Sequence, residues 1–213
     1  MILKGKKVNF LGDSITEGAG VSCDEARFSD ILARECEFAE MRNYGIGGTR
    51  IAEQRIVPGE WVDERDYCRR YKTMDPDADI IVVFGGTNDY GHGNADFGTP
   101  DATTPETYCG ALNYLMRGLI EMYPTSEIVF LTPIQREGGS NPNSRGYTLK
   151  MYSDAIKEAA ARYAIPVLDL YEMSGICPDI EAQRVALCPD GLHPNDEGHV
   201  RLAQRIRGFL ETL

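Results

Sequence analysis

The sequence predicts a three-layer α/β/α fold built around a five-stranded parallel sheet. Short apolar runs bounded by glycine or proline alternate along the chain with longer stretches whose apolar residues recur at helical spacing. This alternation of strand and helix is typical of a parallel sheet that carries helices on both faces. The 213 residues contain no internal repeat and no long linker, so we expect a single domain over residues 1–213.

Five runs predict the strands. The run at 80–84 is continuously apolar, and β-branched residues bounded by glycine or proline in such runs fit strands that are buried on both faces. The second run is more polar and is the weakest of the five. In chain order the runs cover residues 8–11, 39–44, 80–84, 128–131 and 167–170.

Apolar stripes at helical spacing predict four helices, at residues 28–35, 108–122, 152–163 and 200–213. For the second of these helices, Pro105 suits the first turn, and either Thr103 or Thr104 can act as the N-cap. Asn195 is expected to cap the last helix, because asparagine side chains accept hydrogen bonds from the free N–H groups of a first turn.

The charge and composition exclude several classes of protein. Lysine and arginine total 22 and aspartate and glutamate 33, so the net charge is −11. Such an acidic chain repels phosphates, and we expect no nucleic-acid partner. No apolar run reaches the roughly 18 residues of a membrane span, and no signal peptide is readable. The six cysteines form no CxxC pair, which favours free thiols over a disulfide framework or a zinc site. These features predict a cytoplasmic protein with no membrane partner, no metal and no cofactor.

Four polar clusters fall where a parallel sheet forms its ligand site. Three come directly after the first three predicted strands, and the fourth precedes the last helix. Because parallel strands all end at one edge of the sheet, we expect the clusters to meet there. They are Gly12-Asp13-Ser14, Gly45-Ile46-Gly47-Gly48, Gly85-Gly86-Thr87-Asn88-Asp89 and Asp190-Gly191-Leu192-His193-Pro194.

Three residues of these clusters can carry nucleophilic catalysis. The hydroxyl of Ser14 needs a base within hydrogen-bond reach, and His193 can be that base. Asp190 lies three residues before the histidine and can orient the imidazole if the chain turns at Gly191. The predicted catalytic residues are therefore Ser14, Asp190 and His193.

An oxyanion that develops during acyl transfer needs hydrogen-bond donors. The predicted donors are the backbone N–H groups of Ser14 and Gly48 and the side-chain amide of Asn88. Of the two remaining histidines, His92 is expected to be an ordinary loop residue, with the mouth of the pocket as the alternative position, and His199 is expected to be solvated.

These segments identify a family resemblance. The chain resembles the GDSL-type esterases and lipases of the SGNH-hydrolase superfamily over residues 8–210. The resemblance implies a flavodoxin-like five-stranded sheet and ester hydrolysis on a small-molecule substrate without a cofactor. It also implies Ser14, Gly48, Asn88 and His193 as the family's four characteristic residues, with Asp190 as the triad acid. The matching segments are Phe10-Leu11-Gly12-Asp13-Ser14-Ile15-Thr16-Glu17-Gly18, Asn43-Tyr44-Gly45-Ile46-Gly47-Gly48-Thr49, Gly85-Gly86-Thr87-Asn88-Asp89 and Asp190-Gly191-Leu192-His193-Pro194-Asn195.

The substrate pocket is expected to be polar. The three segments that can form its walls, at 50–73, 90–104 and 135–147, offer no broad apolar lining. This predicts an ester of a short acyl group, such as acetyl, with a polar or carbohydrate alcohol. The candidate pocket residues are Asp13, Trp61, Tyr90 and Tyr147.

Other functions remain open at the level of sequence. A metal-dependent phosphoesterase could use hard oxygen ligands and one histidine from the same clusters. A binding module without catalysis could also use this fold. Acyl transfer to an acceptor other than water would use the same site as hydrolysis. The metal ligands in the first alternative would be Asp13, Asn88, Asp89, Asp190 and His193.

Overall fold

The structure, a computed structural model, describes residues 1–55 and 65–213. It contains the predicted five-stranded sheet, in which every pairing is parallel. The strands are β1 (Lys7–Gly12), β2 (Glu40–Gly45), β3 (Ile80–Phe84), β4 (Glu127–Leu131) and β5 (Val167–Leu168).

The strand order is β2-β1-β3-β4-β5, with β3 in the centre of the sheet. The order changes direction between β1 and β3, and ligands of open α/β sheets bind outside the strand ends at such a switch point. β1 pairs Gly12 with Gly45 of β2 on one side and with Phe84 of β3 on the other. The three strands therefore end at the same level.

Helices cover both faces of the sheet, and the four predicted helices are all present. They are the helices Phe28–Glu35, Tyr108–Met122, Leu149–Arg162 and Asp196–Thr212. The helices of the described residues are α1 (Ser14–Glu17), α2 (Phe28–Glu35), α3 (Tyr67–Arg70), α4 (Thr87–His92), α5 (Tyr108–Met122), α6 (Leu149–Arg162), α7 (Leu170–Met173), α8 (Glu181–Leu187) and α9 (Asp196–Thr212).

Two helices begin at side-chain caps that the sequence did not predict. Thr107, rather than Thr103 or Thr104, caps α5 by accepting a hydrogen bond from the N–H of Gly110. The last strand ends at residue 168 and not at 170, because the Asp169 side chain accepts from a first-turn N–H and starts α7 there. The predicted cap of α9 at Asn195 is confirmed.

The core is divided by the sheet into two apolar layers. Along β3, Ile81 and Val83 point to one face, whereas Ile80 and Val82 point to the other, as the two-residue period of a strand requires. The first face packs against α5 and α6, and the second packs against α2 and α9. All five residues of β3 are buried, which confirms the prediction from its continuous apolar run.

The six cysteines are all unpaired. Among the helices of the described residues, none combines the length and the apolar character that a membrane crossing requires.

Gly45 allows α1 to lie against the end of β2. A Cβ atom at this position would lie 2.2 Å from the backbone nitrogen of Glu17 and 2.6 Å from the carbonyl carbon of Thr16. Backbone atoms cannot yield as a flexible side chain can, so a larger residue at Gly45 would push α1 away from the sheet.

We therefore expect Gly45→Ala to lower the free energy of unfolding by about 1–3 kcal/mol, the usual cost of overpacking. Urea denaturation measures this change. Gly208→Ala is the matched control, because Gly208 lies in α9 and an added Cβ would meet no atom within 4 Å. That variant should be more stable by about 0.5–1 kcal/mol, since alanine favours the helix. Equal effects of the two substitutions would contradict the close approach of α1 to β2.

Candidate active site

Ser14 lies at the turn between β1 and α1. The Asp13 carboxylate caps α1 by accepting a hydrogen bond from the N–H of Ile15 at 3.0 Å. Ser14 is the first residue of the helix, and its side chain is partly exposed at the edge of the sheet. The strand and the cap together fix the backbone on both sides of the serine.

His193 is oriented by a tight turn that begins at Asp190. One oxygen of the Asp190 carboxylate accepts from the N–H groups of Leu192 and His193, and the other lies 2.7 Å from His193 Nδ1. The turn requires Gly191, whose φ of +77° is a conformation that favours glycine. Partial burial acts to raise the pKa of Asp190, but the hydrogen bonds from His193 and Leu192 lower it below its ordinary value.

The serine and the histidine meet although 179 positions separate them in the sequence. Ser14 Oγ lies 3.0 Å from His193 Nε2. A second contact joins the same two segments: Ser22 donates its N–H and its hydroxyl to the two oxygens of the Asp196 carboxylate, at 2.8 and 2.6 Å. The structure thus brings the three predicted catalytic residues into one hydrogen-bonded chain.

The loop that carries the predicted donor Gly48 lies next to the serine. A Cβ atom at Gly47 would lie 3.7 Å from the Cβ atom of Ser14, so the loop after β2 passes beside the nucleophile. Within residues 1–55 and 65–213, the backbone N–H groups of Ser14 and Gly48 donate no hydrogen bond. Both are available to a ligand.

Asn88 is held in a defined orientation by two neighbours. Its side-chain nitrogen donates to the carbonyl of Thr49 at 3.0 Å, and its oxygen lies 3.0 Å from His92 Nε2. An amide nitrogen carries two N–H groups, and the bond to Thr49 uses one of them. The second N–H can serve as an oxyanion donor. His92, expected to be an ordinary loop residue, instead contacts Asn88 from the last turn of α4.

Asp89 fixes the segment that follows the Gly48 loop. Its two carboxylate oxygens accept from the N–H groups of Ile51 and Ala52, each at 3.0 Å. Asp89 is 5% exposed, and burial raises its pKa to about 6 even though these hydrogen bonds oppose the shift.

Two side chains of helix α3 donate hydrogen bonds to the ends of three strands. The Arg70 guanidinium donates to the carbonyls of Gly12 and Tyr44, at 2.9 and 2.6 Å, and to the hydroxyl oxygen of Thr49 at 2.8 Å. The hydroxyl of Tyr67 donates to the carbonyl of Phe84 at 2.8 Å. These bonds hold the ends of β1, β2 and β3 from one helix.

The predicted pocket residues lie in different environments. Tyr90 forms part of the wall of a cleft beside the site. Tyr147 stacks on Phe97 with ring centroids 4.4 Å apart and is partly buried in an aromatic cluster. Asp13 is only 2% exposed because its carboxylate faces the first turn of α1, so it supports the serine and does not offer pocket surface. Trp61 lies outside the described residues.

The prediction that His199 is solvated is wrong. His199 is fully buried on the inner face of α9, where its Nδ1 accepts the N–H of Phe28 at 3.0 Å and its ring stacks on Phe28. Burial lowers its pKa to about 4. The apolar stripe of α9 was the signal that could have indicated this burial.

His92, Arg70 and Tyr67 also support the site, in roles that the sequence did not predict. His92 lies four residues after Asn88, which is the spacing of neighbours on a helix. The glycines in and around this segment disfavour a helix, so the sequence pattern does not indicate α4. Arg70 and Tyr67 have no comparable local signal, because their partners lie on three separate strands.

Comparison with known families identifies the class of protein. The model of the GDSL-like lipase/acylhydrolase family matches residues 10–201. The chain belongs to this family, within the SGNH-hydrolase superfamily, and the protein is an esterase. No curated protein matches the sequence.

Several solved structures share the fold over nearly the whole chain. A protein from Lactobacillus plantarum is 33% identical with a TM-score of 0.86, and the match covers 98% of both chains. A candidate GDSL-like lipase from Bacteroides uniformis is 21% identical with a TM-score of 0.71, covering 98% of this chain and 96% of that one. A two-domain esterase active on acetylated mannans is 20% identical with a TM-score of 0.64, covering 99% of this chain and 50% of that one.

The buried carboxyl group of Asp13 predicts a pH dependence of stability. Burial raises its pKa from 3.8 to about 7. Between these values the folded protein binds the proton more strongly than the unfolded chain does, so this group's contribution to the free energy of unfolding falls as pH rises. We expect the stability of the wild type relative to Asp13→Asn to decrease from pH 4.5 to pH 7.5, as measured by urea denaturation.

Asp77→Asn is the control for this measurement. Hydrogen bonds from Lys7 and Arg42 lower the pKa of Asp77 to about 2, so its contribution is lost only as pH falls below about 4. The stability of the wild type relative to Asp77→Asn should therefore stay constant between pH 4.5 and 7.5. A constant difference for Asp13→Asn as well would show that its carboxyl group does not titrate in this window.

Proposed function

We propose that this esterase is a serine-dependent hydrolase that acts through an acyl-enzyme on short-acyl, acetyl-like esters of a polar or carbohydrate alcohol. The observation that carries the proposal is the chain of hydrogen bonds from Ser14 Oγ through the His193 ring to the Asp190 carboxylate, with distances of 3.0 and 2.7 Å. A nucleophile, a base and an orienting acid at these separations match the geometry of serine catalysis.

In the first half of the reaction, Ser14 Oγ attacks the ester carbonyl carbon while His193 Nε2 accepts the hydroxyl proton. Asp190 accepts the hydrogen bond from Nδ1–H and stabilises the imidazolium that forms. The carbonyl oxygen becomes an oxyanion, which accepts hydrogen bonds from the N–H groups of Ser14 and Gly48 and from the Asn88 amide. As the tetrahedral intermediate collapses, the ester C–O bond breaks, and the leaving alkoxide receives from His193 the proton that came from Ser14.

In the second half, water takes the place of the alcohol. His193 removes a proton from the water molecule while the water oxygen attacks the carbonyl carbon of the acyl-enzyme. The same donors hold the second oxyanion, and the protonated imidazole returns its proton to Ser14 Oγ when the acid leaves. The sum of both halves is ester plus water giving acid plus alcohol.

The lining of the neighbouring cleft supports a short acyl group and a polar alcohol. The cleft has a volume of about 440 Å³, and glycines and polar side chains form most of its wall. A long acyl chain would need an apolar lining, which these residues do not provide. The fold is shared with the esterase active on acetylated mannans, which adds support for an acetylated substrate.

The positions of the acidic residues favour the serine mechanism over metal-dependent phosphoester hydrolysis. In the described ranges, no group of three or more His, Cys, Asp or Glu side chains is arranged to hold a metal ion. The carboxylates of Asp13 and Asp89 accept hydrogen bonds from backbone N–H groups, and Asp190 contacts His193. These three carboxylates thus have other partners.

Replacing the nucleophile tests the mechanism. We expect Ser14→Ala to lower kcat for 4-nitrophenyl acetate by at least about 1,000-fold, because removing a member of the triad leaves only binding and the oxyanion donors. Circular dichroism and the urea midpoint should remain close to those of the wild type. The matched control is Ser140→Ala, because Ser140 is exposed. This variant should keep the wild-type kcat.

A fluorophosphonate probe gives the direct readout of the same prediction. The wild type and Ser140→Ala should gain one covalent adduct, mapped to Ser14 by peptide mass spectrometry, and Ser14→Ala should gain none. Activity should also survive EDTA. Undiminished turnover in Ser14→Ala, or loss of wild-type activity in EDTA that added metal restores, would exclude the serine mechanism.

A series of 4-nitrophenyl esters tests the acyl length. We expect kcat/KM to be highest for acetate or butyrate and to fall through hexanoate and octanoate, because the polar cleft gains nothing from added methylene groups. The rates are divided by the spontaneous hydrolysis rate of each ester. A preference for octanoate or a longer chain would contradict the short-acyl assignment.

A further inference from the structure

The cleft beside the site is in direct contact with both sides of the catalytic machinery. Its wall includes residues 90–93 at the end of α4, and Arg136 and Glu137 in the segment after β4. His92 contacts the oxyanion residue Asn88, and the N–H of Glu137 donates to the carbonyl of Gly191 at 2.7 Å, within the turn that carries His193. A substrate attached to Ser14 can therefore extend into the cleft.

Arg136 carries a positive charge into this cleft. Its guanidinium lies 5.7 Å from the centre of the Tyr90 ring and against Gly91, where a Cβ atom would come within 2.6 Å of Nη1. Among the described residues it makes two long hydrogen bonds of 3.4 Å, from Nη1 to the carbonyl and hydroxyl oxygens of Thr87. A guanidinium has five N–H donors, so Nε and Nη2 remain without a partner in the part of the chain that the structure describes.

No carboxylate neutralises Arg136 within 4 Å among the described residues. The acidic wall residue Glu137 pairs with Arg184 at 2.8 Å. Arg145 adds a second cation at the rim, where its guanidinium donates to the carbonyl of Gly93 at 2.7 Å. Arg136 in the wall and Arg145 beside it thus place two cations at the cleft of a protein whose net charge is −11.

The charges of Asp190 and Asp13 act on Arg136 from a distance, but neither carboxylate forms a direct ion pair with it. A half-buried cation without a direct ion pair has lost part of its hydration, and this loss is costly unless a ligand compensates for it. Burial lowers the pKa of Arg136, but a guanidinium stays protonated at neutral pH. The planar fork of its N–H donors matches the oxygens of a carboxylate or a phosphate, which accept two parallel hydrogen bonds.

We propose that Arg136 is a specificity-determining residue that binds an anionic group, a carboxylate or a phosphate, on the ester substrate. The inference rests on the proposed function, because it assigns the substrate class of the same site. Arg136 contacts Thr87 and not the reacting atoms in this assignment, so it selects the substrate and leaves the chemistry to Ser14 and His193.

Two matched pairs of esters test this selectivity. In the first pair the charge is on the alcohol half: 4-acetoxybenzoate is compared with its neutral methyl ester. In the second pair the charge is on the acyl half: 4-nitrophenyl hemisuccinate is compared with 4-nitrophenyl butyrate. The quantity measured is the ratio of kcat/KM for the anionic ester to that for the neutral ester. This ratio is independent of the fraction of enzyme that is folded.

We expect Arg136→Gln to lower this ratio by about tenfold or more in at least one pair, as for loss of a hydrogen bond to a charged group. Arg136→Lys, which keeps the charge but not the fork, should give an intermediate ratio. Arg117→Gln is the matched control, because it changes the net charge equally from an exposed i,i+4 pair with Glu121. The control ratio should equal that of the wild type.

A ratio that Arg136→Gln leaves unchanged in both pairs would overturn the proposal, and so would an equal fall in the Arg117→Gln control. The pair that responds shows which half of the ester enters the cleft. Failure of the serine mechanism is distinguishable, because it would appear as absent fluorophosphonate labelling of Ser14 in the wild type. Labelling of Ser14 together with an unchanged ratio would remove only the assignment of Arg136.

Discussion

The parallel register of β1 with its two neighbours is the constraint on which the site depends. Gly12 is level with Gly45 on one side and with Phe84 on the other, so the segments after these strands emerge at one height. One residue of a strand spans about 3.3 Å, which exceeds the tolerance of a hydrogen bond. A slip of a single position would separate Ser14 from the donors that follow β2 and β3.

Hydrogen bonds to backbone atoms then hold these segments in place. Arg70 and Tyr67 engage carbonyl groups at the ends of three strands, and Asp89 receives two N–H groups from the chain beyond Gly48. Apolar packing alone would leave those polar groups buried without partners, at a cost of about 1–3 kcal/mol each. The same bonds fix the segment that follows Gly48, and the proposed oxyanion donor there would need no rearrangement to act.

The residues proposed to react and the residues of the cleft lie on different parts of the structure. The residues proposed to react lie on strand ends and a short turn that are bonded to the sheet. The cleft is formed instead by the end of α4 and the segment after β4, where substitutions can change the lining without moving the sheet. The two solved structures near 20% identity share the fold over nearly the whole length of this chain, so the sheet scaffold tolerates wide differences in sequence.

The sequence by itself determined the five strands, the four long helices and the clusters that meet at the sheet edge. Their signals are local: apolar periodicity, glycines at strand ends and a three-residue spacing from Asp190 to His193. Only the tertiary structure decided that His199 is buried, that His92 orients Asn88 and that Arg136 enters the cleft. Each of these roles depends on partners from distant segments, and a side chain's partners across space leave no pattern in its immediate sequence.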